Sequence, residues 1–424
     1  MAIRNLSKGI LALSAGALLA SSAMAGGLER GGYNIDLLFD TQKYAIESGV
    51  IYVMPNRDLE NVTDANPLDG VGSNGLGGGA TSVDDNPSYA IPRIAFKVGI
   101  TDDIDCMGDY SQPWGAHTNP GDDWVGANAN IETRINSDNY AVTCSYKFDV
   151  GKGQMRVIGG GFYQEVDGFQ ERLVAGGLPS FLGTGVGRLD LDGNGWGWRA
   201  GVAYEIPEYS FRASLVYNSS VDLGELTGDL DLRQVPSVVN PANPILGVVT
   251  PIFANAKMPD VVELKVQSGI APDWLAFGSV KWTDWSQLQS IAVCPTITKG
   301  MASCTSGGPT EVTSLDLLYR DGWTINAGIG HKFNDQWAGA VSLTWDRGTS
   351  HGYGYQTDLW TLGTGVSYKP RENIELRLAG AIGLWKSGES NPTTFNGKPI
   401  GHGVSYDFGN DVVGALSSFV KVTF

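Results

Sequence analysis

Long apolar runs are missing from the sequence beyond its first 25 residues. No later stretch reaches the roughly 18 apolar residues that a spanning helix needs, which excludes a bundle of membrane helices. Charged residues make up 17% of the chain, and only four histidines occur. A soluble exported enzyme usually carries more charge and clear helical periodicity. A membrane β-barrel needs neither, because its apolar residues are spread over many short strands.

Signatures of catalysis and of metal binding are also missing. The four histidines are scattered, and the sequence offers no Ser/His/Asp order, nucleophile elbow or paired carboxylates. The series Asp190, Asp192, Asn194, Gly195 copies the first half of a calcium loop, but Gly201 stands where glutamate is required. We interpret this series as a polar turn, and we expect neither enzymatic activity nor a cofactor.

Cysteine is scarce, and its four positions fit an oxidising compartment. Cys294 and Cys304 lie close together in a Gly/Ser/Thr-rich segment and can staple one surface loop. Cys106 and Cys144 fall on successive predicted strands, where a bridge and two free thiols both agree with the sequence. No C-x-x-C or Cys/His cluster indicates a metal site.

What is present begins with an export signal. Arg4 and Lys8 form a positive region, Ile10 to Ala20 form an apolar core too short to span a bilayer, and Ala23-Met24-Ala25 matches a cleavage site. Residues 1–25 are therefore predicted to be a signal peptide, with the mature chain starting near Gly26. An uncleaved anchor helix is the alternative. The net charge of −16 argues against nucleic acid as a partner.

The strongest pattern is a period of two. In the last thirteen residues, Val412, Leu416, Val420, Val422 and Phe424 share one face, while the other face is mostly small or polar. Such alternation predicts a strand between two different media. A terminal phenylalanine is typical of the closing strand of a bacterial outer-membrane barrel.

Similar runs recur along the chain, and several begin and end in outward aromatic residues, as the girdles of a membrane barrel do. The predicted fold is all-β: an antiparallel transmembrane barrel over 44–424 with about fourteen strands. The predicted strands are 44–54, 88–100, 104–114, 137–148, 154–170, 195–206, 210–223, 260–271, 274–288, 322–333, 336–348, 358–370, 374–388 and 412–424.

Connection lengths alternate between short and long. Short turns follow the even-numbered strands, which places them and both termini on the periplasmic side. The long connections are predicted to be extracellular loops at 55–87, 115–136, 171–194, 224–259, 289–321 and 389–411.

Two long loops are unusually apolar. One carries Leu173, Val174, Leu178, Phe181 and Leu182; the other carries Ile245, Leu246, Val248, Val249, Ile252 and Phe253. Apolar surface of this kind does not stay bare outside a cell. Either the two loops pack on each other, or their packing leaves a groove for a hydrophobic ligand.

The third predicted strand holds a proline near its end. Pro113 cannot donate to a strand ladder, and Gly115 weakens pairing further. The pair indicates either a simple strand end or a break that opens the barrel wall sideways. Charged residues on predicted inward faces, such as Lys97, Lys281 and Arg377, are expected to be neutralised within a polar lumen.

Two longer blocks carry a family resemblance. Residues 258–289, MPDVVELKVQSGIAPDWLAFGSVKWTDWSQLQ, and residues 195–230 resemble blocks of the FadL-type outer-membrane transporters of long-chain fatty acids and aromatic hydrocarbons. The similarity extends over nearly all of the predicted mature chain. It implies a fourteen-strand barrel with an amino-terminal plug, a ligand groove between the third and fourth outer loops, and a lateral opening at a kink in strand three.

The resemblance also implies particular site residues. The two apolar loops match the groove by position, and Pro113 and Gly115 match the kink. Basic residues that meet a carboxylate in the family's inner pocket correspond by position to Arg172 and Arg320. The predicted plug is short, however, because only residues 26–43 precede the first strand, and Asn34-Ile35-Asp36 stands where the family carries Asn-Pro-Ala. A plug of this length puts the family's gating mechanism in question.

These observations predict a monomeric barrel in the outer membrane of a Gram-negative cell. Its partners are expected to be membrane lipid and a hydrophobic small molecule, a fatty acid or hydrocarbon, that passes through passively. A general diffusion porin and a structural barrel without transport are the alternatives. An outer-membrane lipase would need a nucleophile and a base, which the sequence does not offer.

Overall fold

The computed structural model describes residues 26–66, 78–175, 184–237 and 242–424, which form a closed antiparallel β-barrel. The predicted signal peptide lies outside these residues. No helix in the described ranges is long and apolar enough to cross a membrane. The predicted fold class, a barrel of about fourteen strands, is confirmed.

Fourteen strands follow one another around the wall, and five of them are interrupted. In chain order they are β1 (Tyr44–Met54), β2 (Tyr89–Gly99), β3 (Ile104–Ser111 and Gly115–Thr118), β4 (Glu132–Val150), β5 (Gly153–Ala175), β6 (Thr184–Ile206), β7 (Phe211–Asn218 and Val221–Asp231), β8 (Val249–Met258 and Val261–Ala271), β9 (Trp274–Thr283 and Ser290–Pro295), β10 (Thr313–Asp316 and Gly322–Lys332), β11 (Trp337–Arg347), β12 (Leu359–Arg371), β13 (Ile374–Trp385) and β14 (Asp411–Thr423).

The barrel closes between its first and last strands. β14 pairs with β1 from Thr423 opposite Ala45 to Gly414 opposite Met54. The amide of Phe424 adds a hydrogen bond of 2.9 Å to the carbonyl oxygen of Tyr44. No wall edge is therefore left at this seam, as a chain in lipid requires.

Strands β4 to β10 extend much further toward the long-loop end than the sequence predicted. β6 begins at Thr184 where the alternation predicted residue 195, and β8 begins at Val249 where it predicted residue 260. Parts of the predicted loops 115–136, 171–194, 224–259 and 289–321 are therefore strand. The predicted polar turn at Asp190–Asn194 was wrong, because these residues lie within β6.

The reason is a change in what each face of the wall meets. In β6, exposed Trp196 and Trp198 point outward, and outward Asp190 and Asp192 continue the same face beyond them. The inward face changes in the opposite sense, from buried Arg199 to Leu189 and Leu191. Beyond the aromatic girdle the outer face meets water, so polar residues move outside and apolar residues inside.

Short elements complete the fold. Within the described ranges, 3-10 turns lie at Asp36–Phe39, Pro207–Tyr209, Trp285–Gln287 and Thr296–Thr298. At the long-loop end, Asp58–Asp64, Val83–Asp84, Gly388–Ser390 and Val404–Phe408 form a small sheet, and Thr393–Phe395 pairs with Lys398–Ile400. We call these loop strands the cap.

Asp85, which directly follows the cap strand Val83–Asp84, makes the stability of the cap depend on pH. The Asp85 side chain is buried, and burial raises its pKa to about 8. Between about pH 4 and pH 8 the folded protein therefore binds more protons than the unfolded chain, and stability falls as pH rises through that window. We expect proteases to cleave the wild-type cap severalfold faster at about pH 9 than at about pH 6, and Asp85→Asn to abolish the difference. Equal wild-type rates at both pH values would contradict this.

Candidate functional site

An apolar pocket lies inside the barrel at the long-loop end. Its free volume is about 70 Å³, and nearly all of its surface is apolar. The walls come from the extended parts of β4 to β10, and Leu28 from the amino-terminal segment completes them. The apolar lining residues are Leu28, Ile135, Val166, Phe169, Leu189, Leu191, Leu223, Leu226, Ala256, Met258, Ile291 and Leu315.

The amino-terminal segment 26–43, which we call the plug, lies within the barrel. Ion pairs join Glu29 to Lys281 of β9, Asp36 to Lys265 of β8 and Asp40 to Lys421 of β14. Since these lysines belong to different parts of the wall, the plug crosses the lumen between them. The inward charges predicted to be neutralised are thus partly neutralised by the plug.

Further bonds from β2 fix the plug backbone. Arg93 donates to the carbonyl oxygen of Asn34 at 2.5 Å, and Lys97 donates to those of Asp40 and Gln42 at 2.7 and 2.8 Å. Leu38 is fully buried. A plug of eighteen residues therefore makes polar contacts with several sides of the lumen in spite of its length.

A second, polar chamber lies between the plug and β7 to β11. Its free volume is about 130 Å³. The charged lining groups are three acids and three bases, so the chamber carries no net excess of either sign; they are Glu29, Asp36, Glu263, Arg212, Lys265 and Lys281. Such a chamber suits water better than an apolar ligand.

The pairing of β3 with β4 is irregular at the interruption. Ser111 pairs with Asn139 of β4 and Gly115 with Asn136, so residues 112–114 of β3 lie opposite only two residues of β4. Trp114 is buried there, and the Ser137 hydroxyl bonds both its amide and its carbonyl oxygen. Because β3 resumes at Gly115, Pro113 marks an internal break, and the reading as a simple strand end was wrong.

The plug docks on this break. The amides of Arg30 and Gly31 donate to the carbonyl oxygens of Pro113 and Gln112, and the amide of Gly115 donates to that of Leu28. Wall and plug thus share a short stretch of backbone pairing where the wall ladder is interrupted.

Arg172 lies just beyond the apolar pocket. It follows pocket residue Gln170 by two positions on β5, which is about 7 Å along a strand. Its guanidinium donates to the Thr313 hydroxyl at 3.2 Å and lies 3.0 Å from His402 Nδ1. Among the described residues, no carboxylate lies within ion-pair distance of it.

The local electrostatics favour an anion at Arg172. Desolvation, together with the charges of Arg172 and Lys398, lowers the pKa of His402, so its imidazole is neutral although the residue is exposed. Burial also lowers the pKa of Arg172 itself. Arg172 is half-buried and its side-chain partners are neutral, so it gains from any carboxylate that reaches it.

Arg320, the other predicted head-group residue, lies in the interruption of β10. Its Nε donates to the carbonyl oxygen of Gly348 at 3.0 Å. This bond joins it to the loop after β11, whereas Arg172 bonds residues 313 and 402. The two arginines therefore have different neighbours.

Most of the predicted groove residues in the described ranges are at least partly buried. Leu246 and Ile252 belong to the cluster that includes the pocket walls, with Val174 and Ile245 packed against it. Leu173 instead packs with the cap and Trp124, and Phe253 lies under the Lys299 ammonium. Val248 and Val249 are exposed. Leu178, Phe181 and Leu182 lie outside the described residues.

Both cysteine pairs are joined in the structure. Cys106 of β3 lies opposite Cys144 of β4 and forms a disulfide with it, on the short-turn side of the break. Cys294 and Cys304 close the turn after β9. The sequence did not predict the residues that wall the pocket. The signal for them was the alternation of leucine with aspartate at 188–192: once the aromatic girdle is located, the leucines of this segment are expected to face the barrel interior.

Known proteins resemble this chain in sequence and in fold. Residues 15–346 match the family described as "Outer membrane protein transport protein (OMPP1/FadL/TodX)". A long-chain fatty acid transport protein from Salmonella typhi is 24% identical over 352 residues, 77% of this chain and 71% of that protein.

Two solved structures share the fold. A FadL homologue from Pseudomonas aeruginosa has a TM-score of 0.75 at 15% identity and covers 95% of this chain and 96% of its own. The toluene transporter TodX from P. putida has a TM-score of 0.59 at 14% identity and covers 92% of each chain.

Proposed function

Because this chain belongs to the outer membrane protein transport family that includes FadL and TodX, we propose that it carries long-chain fatty acids or related hydrophobic compounds across the outer membrane of a Gram-negative cell. Passage is passive, and the protein acts as a monomer. The observation that supports this best is the apolar pocket, which is walled by β4 to β10 and bounded toward the lumen by Leu28.

Binding energy in such a site comes mainly from burial of the hydrocarbon chain. Each methylene removed from water contributes about 0.8 kcal/mol. The predicted loop residues Leu246 and Ile252 continue the apolar cluster beyond the pocket, and a ligand from the medium would enter beside them at exposed Val248 and Val249. The loops at 171–194 and 224–259 are then the outer groove.

Arg172 is the head-group residue in this proposal. Its guanidinium stands at the end of the pocket with neutral partners, so a fatty-acid carboxylate can bind there while the chain lies along the pocket wall. Arg320 remains the second candidate, and its bond to a carbonyl oxygen leaves other donors for a ligand.

The break in β3 is the proposed exit. A ligand leaving the pocket beside Trp114 meets the interrupted ladder at Pro113 and Gly115, where the plug replaces wall pairing. Movement of residues 28–32 away from the break would open the wall toward lipid.

The head-group proposal is tested with matched ligands. For Arg172→Gln we expect oleate to bind the purified barrel about tenfold more weakly, because a charge-assisted hydrogen bond is lost. Methyl oleate, which lacks the charge, should change less than twofold. Arg320→Gln, measured in parallel, shows whether the second arginine shares the role. Equal losses for both ligands in Arg172→Gln would exclude a head-group role.

The transport proposal has a separate test. Mass spectrometry of lipids that co-purify with the folded barrel should identify fatty acids or other hydrophobic compounds. A general diffusion porin would instead let small sugars swell liposomes, and a structural barrel would show neither ligand nor flux. Swelling by sugars without bound hydrophobic compounds would contradict the proposal.

A further inference from the structure

The pairing of β2 reveals where the wall is incomplete. β2 pairs with β1 as far as Tyr89, opposite Val53. Its pairing with β3 ends earlier, at Ile94 opposite Tyr110. Over Tyr89–Arg93 the described residues therefore give β2 a wall neighbour on one side only, and the free side faces the break in β3.

The plug occupies this gap. Gly31 lies so close to both edges that a Cβ added to it would come within 3.1 Å of Ile91 Cγ2 and 3.0 Å of the Gln112 carbonyl oxygen. The neighbouring residue, Arg30, places its guanidinium 4.3 Å from the centre of the Tyr89 ring. A Cβ on Gly115 would meet Arg30 Nε at 2.6 Å.

Arg30 is a buried cation for which the described residues provide no carboxylate within ion-pair distance. Its exposed fraction is 7%, and its Nε has no hydrogen-bond partner among the described residues. The other buried arginines of the described ranges all donate side-chain hydrogen bonds, and each has a carboxylate within ion-pair distance; the four are Arg57, Arg156, Arg199 and Arg377. Leaving a buried charge uncompensated is costly, so this position favours an anionic ligand.

We propose that Arg30 is a second head-group site, which receives the carboxylate of the transported acid as the ligand passes from the pocket into the gap. This inference rests on the proposed function. Leu28 lines the pocket and Arg30 stands in the gap two residues further along the same plug segment. A carboxylate that leaves Arg172 would therefore meet a second cation, Arg30, before the ligand reaches the lipid.

The site selects for ligand chemistry. A carboxylate compensates the guanidinium, whereas an ester or a hydrocarbon passes the same cation without that gain. Arg30 therefore speeds the exit of acids and not of neutral compounds. It acts on passage and leaves equilibrium binding in the pocket unchanged.

The test compares two ligands in proteoliposomes of phosphatidylcholine, which carry no net anionic lipid. We expect Arg30→Gln to slow oleate uptake about tenfold and methyl oleate uptake less than twofold. Arg30→Lys, which keeps the charge, should restore part of the oleate rate. Arg134→Gln, at an exposed arginine near the gap, is the matched control and should leave both rates unchanged.

The outcomes separate this site from the one at Arg172. Equal slowing of both ligands by Arg30→Gln would show a purely structural role in holding the plug, and unchanged rates would show no role; either overturns the inference. An oleate-specific loss in Arg30→Gln with normal oleate binding supports it, even if Arg172→Gln proves silent. Heat-modified migration on gels verifies that each variant is a folded barrel.

Discussion

Replacing Lys265 and Lys281 together by methionine should open the barrel to ions. Lys281 is the partner of buried Glu29, and Lys265 is the partner of Asp36. Removing one partner from a buried ion pair destabilises the folded arrangement by about 3–5 kcal/mol, because the remaining charge stays buried without a counter-charge. A cost of about 3 kcal/mol favours release of the plug by more than a hundredfold.

The polar chamber explains why release should produce conductance. Both lysines line the chamber beside the plug, so a displaced plug joins existing polar space into a passage. In planar bilayers the wild type should stay largely closed and the double variant should show steady ion current. Glu29→Gln, which leaves both lysines in place, should give a smaller effect in the same direction.

Lys332→Met is the matched control for this experiment. Lys332 also belongs to the wall, but its ammonium bonds Asp335 in the turn that follows β10. It bonds no plug residue in the described ranges, so its removal should leave the barrel closed. A double variant that folds and remains closed would show that the lysine pairs do not hold the plug.

Replacing Ala256 by tryptophan, Ala256→Trp, should weaken the binding of hydrophobic ligands whatever their head group. Ala256 lines the apolar pocket, and an indole in place of its methyl group would project into the free volume of about 70 Å³. Inserting that group fills the space a ligand chain needs and costs about 1–3 kcal/mol in strain. Oleate and methyl oleate should both lose at least about tenfold in affinity.

Ala200→Trp controls for the size of the substitution. Ala200 lies on the outer face of β6, between Trp198 and Val202, both exposed. Another aromatic residue on that face agrees with its lipid environment, so binding should not change. Normal binding in Ala256→Trp would mean that the ligand does not use this pocket.

The two binding variants report on different parts of one ligand. Arg172→Gln is expected to discriminate between acid and ester, whereas Ala256→Trp is expected to affect both alike. A protein that showed the first pattern without the second would bind head groups at Arg172 while accommodating the chain elsewhere, along the outer loops.

The membrane-level wall was readable from the sequence because lipid imposes one rule on every strand. Outward residues must be apolar and inward residues need not be, so a period of two marks each crossing. The prediction for β1, residues 44–54, agrees with the structure at both ends, and β11 to β14 agree to within three residues. Family blocks at 195–230 and 258–289 added the transport class.

Tertiary structure alone decided what lies inside and above that wall. The strand ends beyond the girdle escaped prediction because water replaced lipid on their outer face and the polarity of the two faces exchanged. The contacts of the plug and of Arg172 join residues that lie up to hundreds of positions apart in the chain, such as Asp40 and Lys421. The environment of Arg30 likewise depends on wall residues that are distant in sequence. The local alternation of residues in the sequence indicates whether a side chain meets lipid, water or the barrel interior, but it does not indicate which distant residue that side chain contacts.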